Sequence, residues 1–343
     1  MAPTLKEIAR LSGVSIATVS YVVNNGPRPV LPATREKVQR IIDELNYRPN
    51  AAARGLLGKR TNTIGVVFPH QVQDIFGNAY FSPVLSGIVD STTVRHFATM
   101  LFTGFEWEEA ELNIPMYCDG RCDGIVLIAP PSPCRLIAEL ESRNVPLVVI
   151  GTRPPAGEWS VVDVDNVEGA RLAVGHLLDL GHRRVGVIGS DPSSTSWPER
   201  ERGYRLAFGD RGLEVEETLV VPADNWDALD VAMRKLLDRS AADRPTAVFA
   251  AQDKIAEMVI RAAGELGLRV PEDMSVVGFD DLSFAAGLNP PLTTIRQPLR
   301  HVGAAATQLL FDQLDGVLTG HRQILLDVLL VQRSSTSKPS VST

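Results

Sequence analysis

The stretch TLKEIARLSGVSIATVSYVVNN, residues 4–25, holds two short helical patterns separated by one glycine. Thr4 and Glu7 have the spacing of a capping box. Leu5, Ile8 and Ala9 mark the apolar stripe of a first helix, and Gly13 supplies its stop. Ser15 is placed to cap a second helix that ends at Asn24, Asn25 and Gly26. At about 100° per residue, Val19, Val22 and Val23 fall on one side of that helix. Ile16, Ala17, Ser20 and Tyr21 fall on the other. This second face has no full charge, which suits a major groove better than bulk water. Small apolar side chains there meet thymine methyls, while Ser20 and Tyr21 offer hydrogen bonds to base edges or phosphates. The alternative is that Ile16 packs within the head.

A proline-rich loop, GPRPVLP (26–32), leads to ATREKVQRIIDELNY (33–47), where Val38, Ile41, Ile42 and Leu45 recur with helical spacing. Two helices joined by a Gly-containing turn, with a third closing a small core, describe a helix-turn-helix. Charge points the same way. The 343-residue chain carries a net −7, yet residues 1–60 hold ten Lys/Arg against four Asp/Glu, a net +6 that leaves −13 on the remainder. A basic head on an acidic body is the electrostatic footprint of a nucleic-acid-binding module joined to something else.

From residue 63 the rhythm changes to short β-branched runs, among them TIGVVFP, DGIVLIAP, PLVVIG, SVVDVD, RRVGVIGS, TAVFAAQD and SVVGFDD. Helix-length segments such as VEGARLAVGHLLDLG separate most of them, which implies buried parallel sheets of α/β type. The strands are too many for one such unit. Two subdomains are expected, with crossings near residues 161 and 290, and LTTIRQ and ILLDVLLV returning the chain across both.

No apolar run reaches the ~18 residues that span a bilayer, and Lys6, Glu7 and Arg10 stand where a secretory apolar region would lie. The expectation is a cytoplasmic protein without a membrane partner. Cys118, Cys122 and Cys134 lack the further ligands of a four-coordinate zinc site, so no metal is expected. A dinucleotide-binding glycine loop and a P-loop are both missing, and no cofactor is expected either.

Ligands of open α/β sheets bind beyond the carboxyl ends of the strands. Arg200 follows RRVGVIGS, Trp226 follows LVVP, Gln252 and Asp253 follow TAVFA, and Asp280 and Asp281 follow SVVGF. An arginine, carboxylates and an aromatic plate on one cleft suit a polyhydroxylated ligand. Asp253 and Asp281 fit helix caps equally well. In HQVQDIFGNAYF, Phe76, Tyr80 and Phe81 are either pocket-lining or packing residues. Carboxylates at strand ends also suit acid–base catalysis, but no nucleophile is placed to partner His176 or His182. A carbohydrate-processing enzyme, or a sugar-binding protein, with an accessory DNA-binding head is the alternative to a regulator, and no catalytic residue is assigned.

From Thr4 to about Arg333 the chain resembles the lac repressor family of transcription regulators. The motifs that carry the likeness are TLKEIARLSGVSIATVSYVVNN, TREKVQRIIDELNYRPNAAARGL, LDLGHRRVGVIG, VVGFDD and PPLTTIRQP, in that order. The resemblance implies an N-terminal three-helix helix-turn-helix head plus hinge helix, and an α/β core of two parallel-sheet subdomains, periplasmic-binding-protein-like. The expected boundaries are 1–48 for the head, 49–62 for the hinge helix and linker, 63–161 with 291–320 for one subdomain, and 162–290 with 321–335 for the other.

By the same resemblance, Ile16, Ala17 and Tyr21 would read bases, while Thr4, Ser15, Thr18, Asn24, Thr34 and Tyr47 would grip phosphates or fix the register. Asn50 would cap a hinge helix whose Leu56 wedges into the minor groove, partly unstacking a base step. Arg200, Asp280, Trp226 and Gln252 match the family's sugar-binding positions, with Gln252 where Asn is common. The implied partners are double-stranded operator DNA, a small sugar-like effector and a second copy of the chain. The polar QRSSTSKPSVST (332–343) has no heptads, so a homodimer is expected rather than a tetramer.

Tyr21 stands where relatives frequently carry Arg or His. Arginine pairs bidentately with guanine, whereas a tyrosine hydroxyl offers one contact. Tyr21→Arg is therefore expected to change the preferred base at one half-site position in selections from a randomised operator. An unaltered preference would remove Tyr21 from the base-reading set.

Overall fold

The computed structural model describes residues 3–23, 28–47, 60–68, 76–103, 114–154, 158–190, 196–223 and 225–340. The chain divides into two compact units, residues 1–61 and 62–343. The first contains α1 (Leu5–Ser12), α2 (Ile16–Val23) and α3 (Pro32–Glu44). The capping residues work as the sequence predicts: the Glu7 amide donates to Thr4 Oγ1 at 3.3 Å, and the Thr18 amide to Ser15 Oγ at 3.1 Å. Gly13 ends α1 in the left-handed region, φ +69°, where a side chain would be strained. Ile8, Val19 and Val38, one from each helix, are fully buried at the centre of the head.

In the second unit the chain first builds β1 (Thr63–Val67), α4 (Phe81–Val94), β2 (Ala98–Phe102), β3 (Gly124–Ile128), α5 (Arg135–Ser142), β4 (Leu147–Ile150) and β5 (Ser160–Val164). It then crosses to a second lobe comprising α6 (Asn166–Asp179), β6 (Val185–Ser190), α7 (Ser196–Gly209), β7 (Val220–Ala223), α8 (Trp226–Leu237), β8 (Ala247–Ala250), α9 (Asp253–Glu265), β9 (Ser275–Asp280) and β10 (Thr293–Arg296). Helix α10 (Leu299–Leu314) and β11 (Gln323–Leu326) return to the first lobe, and β12 (Leu329–Val331) ends in the second. The sheet orders are β11-β5-β4-β3-β1-β2 and β12-β10-β9-β8-β6-β7. Every pairing is parallel except that of β12, which runs antiparallel to β10 at the edge.

Three subdomain boundaries differ from those expected. β5 runs on to Val164 within the first sheet, so the first crossing is at Asp165 rather than near 161. β10 pairs with β9, which moves the second crossing past 290 to Gln297–Pro298. ILLDVLLV does return the chain across both lobes, but β11 pairs with β5, so the segment from 321 to the end of β11 joins the first subdomain rather than the second. Hydrophobic rhythm locates strands, but it does not say which sheet their hydrogen bonds join.

The polar tail is also structured. Ser335 is fully buried; its carbonyl accepts from the Val276 amide and its hydroxyl donates to the Val276 carbonyl. His182, buried behind it, bonds Thr246, Ser275 and the Ser337 carbonyl. Among the described residues no helix is long and apolar enough to cross a membrane, and no His/Cys/Asp/Glu cluster could hold a metal ion. No disulfide joins Cys118, Cys122 or Cys134.

The first lobe depends on close contact between α4 and α10. A β-carbon on Gly303 would lie 2.0 Å from the Val84 carbonyl oxygen, and one on Gly87 the same distance from the Arg300 carbonyl oxygen. Backbone meets backbone, so no flexible side chain is available to yield. Overpacking of this kind costs about 1–3 kcal/mol or more. Gly303→Ala is expected to lower the thermal midpoint by several degrees. Gly209→Ala, in α7 with open space around it, should be neutral or stabilise by up to about 1 kcal/mol. Equal midpoints for the two variants would contradict the close approach.

Candidate DNA-reading face and ligand cleft

In the head, Ile16 is 49% exposed and Ala17 is exposed beside it, with Ser20 and Tyr21 half-buried on the same side of α2. Val19 and Val22 are buried on the opposite side, so Ile16 does not pack into the head's core. The face is continuous and uncharged. Thr4 and Ser15 accept backbone amides at helix starts, and Ser15 Oγ lies 2.9 Å from Thr18 Oγ1. A capping hydroxyl that accepts from the backbone keeps its own proton for another acceptor, such as a phosphate oxygen. Thr34 is half-buried on α3. Tyr47 packs against the head's core, and burial pushes its phenol pKa up. Asn24, Asn50 and Leu56 lie outside the described residues.

Between the lobes of the second unit is a cavity of about 570 Å³. Strand ends supply much of its wall: Ala129 after β3, Gly151 after β4, Asp163 in β5, Gln252 after β8, Asp280 at the end of β9 and Gln297 after β10. Arg200 and Ser196 enter from the start of α7, and Trp226, 49% exposed, from the start of α8. Tyr80 and Phe81 come from the start of α4, edge to face at 5.3 Å.

Arg200, only 5% exposed, is held on several sides. Its Nε donates to Asn166 Oδ1 at 2.9 Å and its Nη1 to the Ala251 carbonyl. The guanidinium carbon sits 3.7 Å from the centroid of the Phe279 ring, and Nη1 is 3.7 Å from Asp280 Oδ1. Gln297 donates to that Asp280 oxygen at 2.6 Å. Asp280 adopts φ +125° and Asp281 φ +56°, left-handed values that a non-glycine residue adopts at a cost.

Among the described residues, two carboxylates face this cavity. Burial pushes the pKa of Asp163 up to about 7, opposed by the Val164 amide, raised further by Glu199 and lowered by Arg153 and Arg200. Burial likewise raises Asp280, opposed chiefly by Arg200 and the Gln297 hydrogen bond.

The structure brings Arg200, Trp226, Gln252 and Asp280 together on the cavity wall, adds Tyr80 and Phe81, which also pack against the core, and separates three others from them. Asp253 does not line the cavity: it is fully buried, accepting from the Leu282 amide at 2.7 Å and from Thr294 Oγ1. It anchors the turn after β9, with Gly278 leaving room for its carboxylate. Phe76 is 72% exposed and lines a neighbouring groove with Leu299 and Arg300, while Gly77 and Asn78 beside it reach the cavity wall. Asp281 pairs with Arg296 and Arg333, each at 2.6 Å.

Sequence reasoning missed Asp163 and Gln297. Both were detectable: Asp163 is a carboxylate inside the apolar run SVVDV, and Gln297 directly follows a strand.

Comparison with known proteins agrees with this arrangement. Residues 4–50 match the family described as bacterial regulatory proteins, lacI family, and residues 174–336 match a periplasmic binding protein-like domain. The HTH-type transcriptional regulator CelR of Thermobifida fusca is 38% identical, over 97% of this chain and 98% of that protein. Catabolite control protein A of Priestia megaterium is 34% identical, over 90% and 91%. Among solved structures, a CelR–cellobiose complex covers 97% of this chain and 99% of its own, with TM-score 0.74 and 36% identity. A lac repressor dimer bound to operator and the anti-inducer ONPF covers 98% and 100%, with TM-score 0.80 and 29% identity.

Asp163 also sets a pH dependence. Its folded-state pKa lies above the unfolded value, so its contribution to stability is present at low pH and lost as pH rises towards and through 7. Asp163→Asn removes this titration. The variant's thermal midpoint relative to wild type is expected to be higher at pH 8 than at pH 5.5. A difference that is the same at both values, or reversed, would place Asp163 in a solvated setting.

Proposed function

The chain belongs to the lacI family of bacterial regulatory proteins and is a transcriptional regulator; from that premise we propose that it represses transcription as a homodimer on a near-palindromic operator, and that a neutral sugar in the interlobe cleft controls it. The observation that carries this reading is the buried Arg200–Asp280 pair facing a roomy cavity with Trp226 at its edge. Aromatic plates cover the C–H faces of sugars while charged groups hold their hydroxyls.

The charge balance favours a neutral effector. Arg200 already donates to Asn166 and Ala251, and among the described residues two carboxylates face the cavity against this one guanidinium. Lys254, also on the wall, is paired with Glu257 at 2.6 Å. A sugar phosphate would bring more negative charge to carboxylates that burial already disfavours. Hydroxyl donors meet them without that repulsion. The likeness to a regulator solved with cellobiose supports a β-linked disaccharide as the first effector to try. In the head, the uncharged outer face of α2 supports Ile16, Ala17 and Tyr21 as base-reading residues, with Thr4, Ser15, Thr18, Thr34 and Tyr47 on phosphates. Two heads on a symmetric dimer would read two half-sites.

The test is a thermal-shift screen with cellobiose, glucose, glucose 6-phosphate and free nucleobases, followed by operator anisotropy and sedimentation. A ligand at a hundredfold its Kd stabilises by about 2.7 kcal/mol. Cellobiose or another neutral sugar is expected to raise the midpoint and to weaken operator binding by a dimer. Arg200→Lys, which cannot reproduce the fork of hydrogen bonds, is expected to remove the shift. Stabilisation by the phosphate or a nucleobase alone would overturn the sugar reading, and an unaltered shift in Arg200→Lys would move the effector elsewhere.

A further inference from the structure

The lobes are tied together by side chains as well as by the three crossing segments. Arg153 follows β4 in the first lobe, and its Nη2 pairs with Glu199 Oε2 on α7 in the second. Both side chains are largely out of water, 17% and 19% exposed. Glu199 Oε2 also accepts from Asn166 Nδ2 at 3.2 Å, and the same nitrogen reaches Asp163 Oδ2 at 3.2 Å. The other end of that amide, Oδ1, accepts from Arg200 Nε at 2.9 Å. A connected chain therefore runs from Arg153 through Glu199 and Asn166 to Arg200 and Asp280. Arg153 and Glu199 line a separate groove and are absent from the wall of the effector cleft.

An amide has a donor end and an acceptor end, and what surrounds it decides which way it faces. Carboxylates on the Nδ2 side hold the Asn166 oxygen towards Arg200 Nε. That bond in turn sets the plane of the guanidinium over Phe279, with Nη1 facing Asp280.

We propose that Glu199 is a positioning residue for Arg200, acting through Asn166, and that its ion pair with Arg153 is a clasp that joins the closing of the lobes to the aiming of that arginine. Asp163 and the Val164 carbonyl, which accepts from the same nitrogen at 3.4 Å, remain to orient the amide when Glu199 is lost, so the effect is partial. The proposal rests on the cleft being the effector site.

The experiment uses the full chain with cellobiose as the probe in calorimetric titration, the thermal midpoint of each variant, and hydrogen exchange of the unliganded proteins. Glu199→Leu removes both the acceptor for Asn166 and the partner of Arg153, and is expected to weaken cellobiose binding about tenfold. Glu199→Gln keeps an acceptor for Asn166 and should lose less. Arg153→Gln should weaken binding too. The Arg153→Gln/Glu199→Leu double variant should lose far less than the product of the two single losses, because the shared ion pair carries most of each effect. Only the longer contact of Arg153 Nε with Asp163 Oδ2, 3.8 Å, lies outside it. A purely structural role would lower the midpoint while folded protein bound cellobiose as before, and that result overturns the proposal. So does a double variant whose loss is the product of the two single losses. Exchange separates this from failure of the sugar reading. If wild type binds no cellobiose, that reading of the effector falls. The clasp is then supported by faster exchange in 150–154 and 163–167 of both Arg153→Gln and Glu199→Leu, and overturned by exchange equal to wild type.

Discussion

A guanidinium taken out of water costs several kcal/mol unless its charge and donors are met, and the second lobe is built around meeting those of Arg200. The end of β8 supplies a carbonyl at Ala251, the end of β9 supplies the Phe279 ring and the Asp280 carboxylate, and the start of α6 supplies Asn166. Those groups converge only if α6 and α7 lie almost in contact. Gly203 makes this possible: a β-carbon there would stand 2.2 Å from the Val167 carbonyl oxygen. The left-handed backbone at Asp280 and Asp281 belongs to the same arrangement. It turns one carboxylate into the cleft, while its neighbour pairs with Arg296 and Arg333.

Much of this was legible in the sequence, and for local reasons. The head was readable because its signals lie within a few residues of one another. Thr4 caps α1, Gly13 ends it, Ser15 caps α2, and Val19 and Val22 face inward while Ile16 does not. The cleft was readable because a parallel sheet places whatever follows its strands at one edge. Arg200, Gln252, Asp280 and Trp226 needed only that rule, besides the resemblance, to be gathered into one site.

What the sequence hid depends on contacts far along the chain. Asp253 and Asp280 both stand beside strand ends, yet one is sealed beneath the turn after β9 and the other faces the cavity. The difference lies in Leu282 and Thr294, whose partnership with Asp253 no spacing announces. The crossing at Asp165 was placed early because SVVDVD reads as one run, and only its pairing with β4 and β11 says where the first sheet ends. The tail was read as plain polar chain. Its Ser335 is buried, and the carbonyl and hydroxyl of that residue meet the Val276 amide and carbonyl of β9, supplying hydrogen bonds that burial would otherwise remove from the strand's backbone.

An effector can shift a two-state protein only by as much as its affinities for the two states differ. Here the cavity wall offers a source of that difference. Asp163 belongs to the first lobe and Asp280 to the second, and both face the same space. Bringing the lobes together desolvates two carboxylates, which is why burial dominates the pKa of each, and Arg200, with Arg153 beside Asp163, offsets only part of that cost. An empty closed cleft is thus held back by its own carboxylates, and protonation or a ligand rich in hydroxyl donors relieves them. On the function proposed above, the groups that receive the effector also penalise closure without it, so selectivity for a neutral polyol and control of the lobes would follow from one electrostatic constraint.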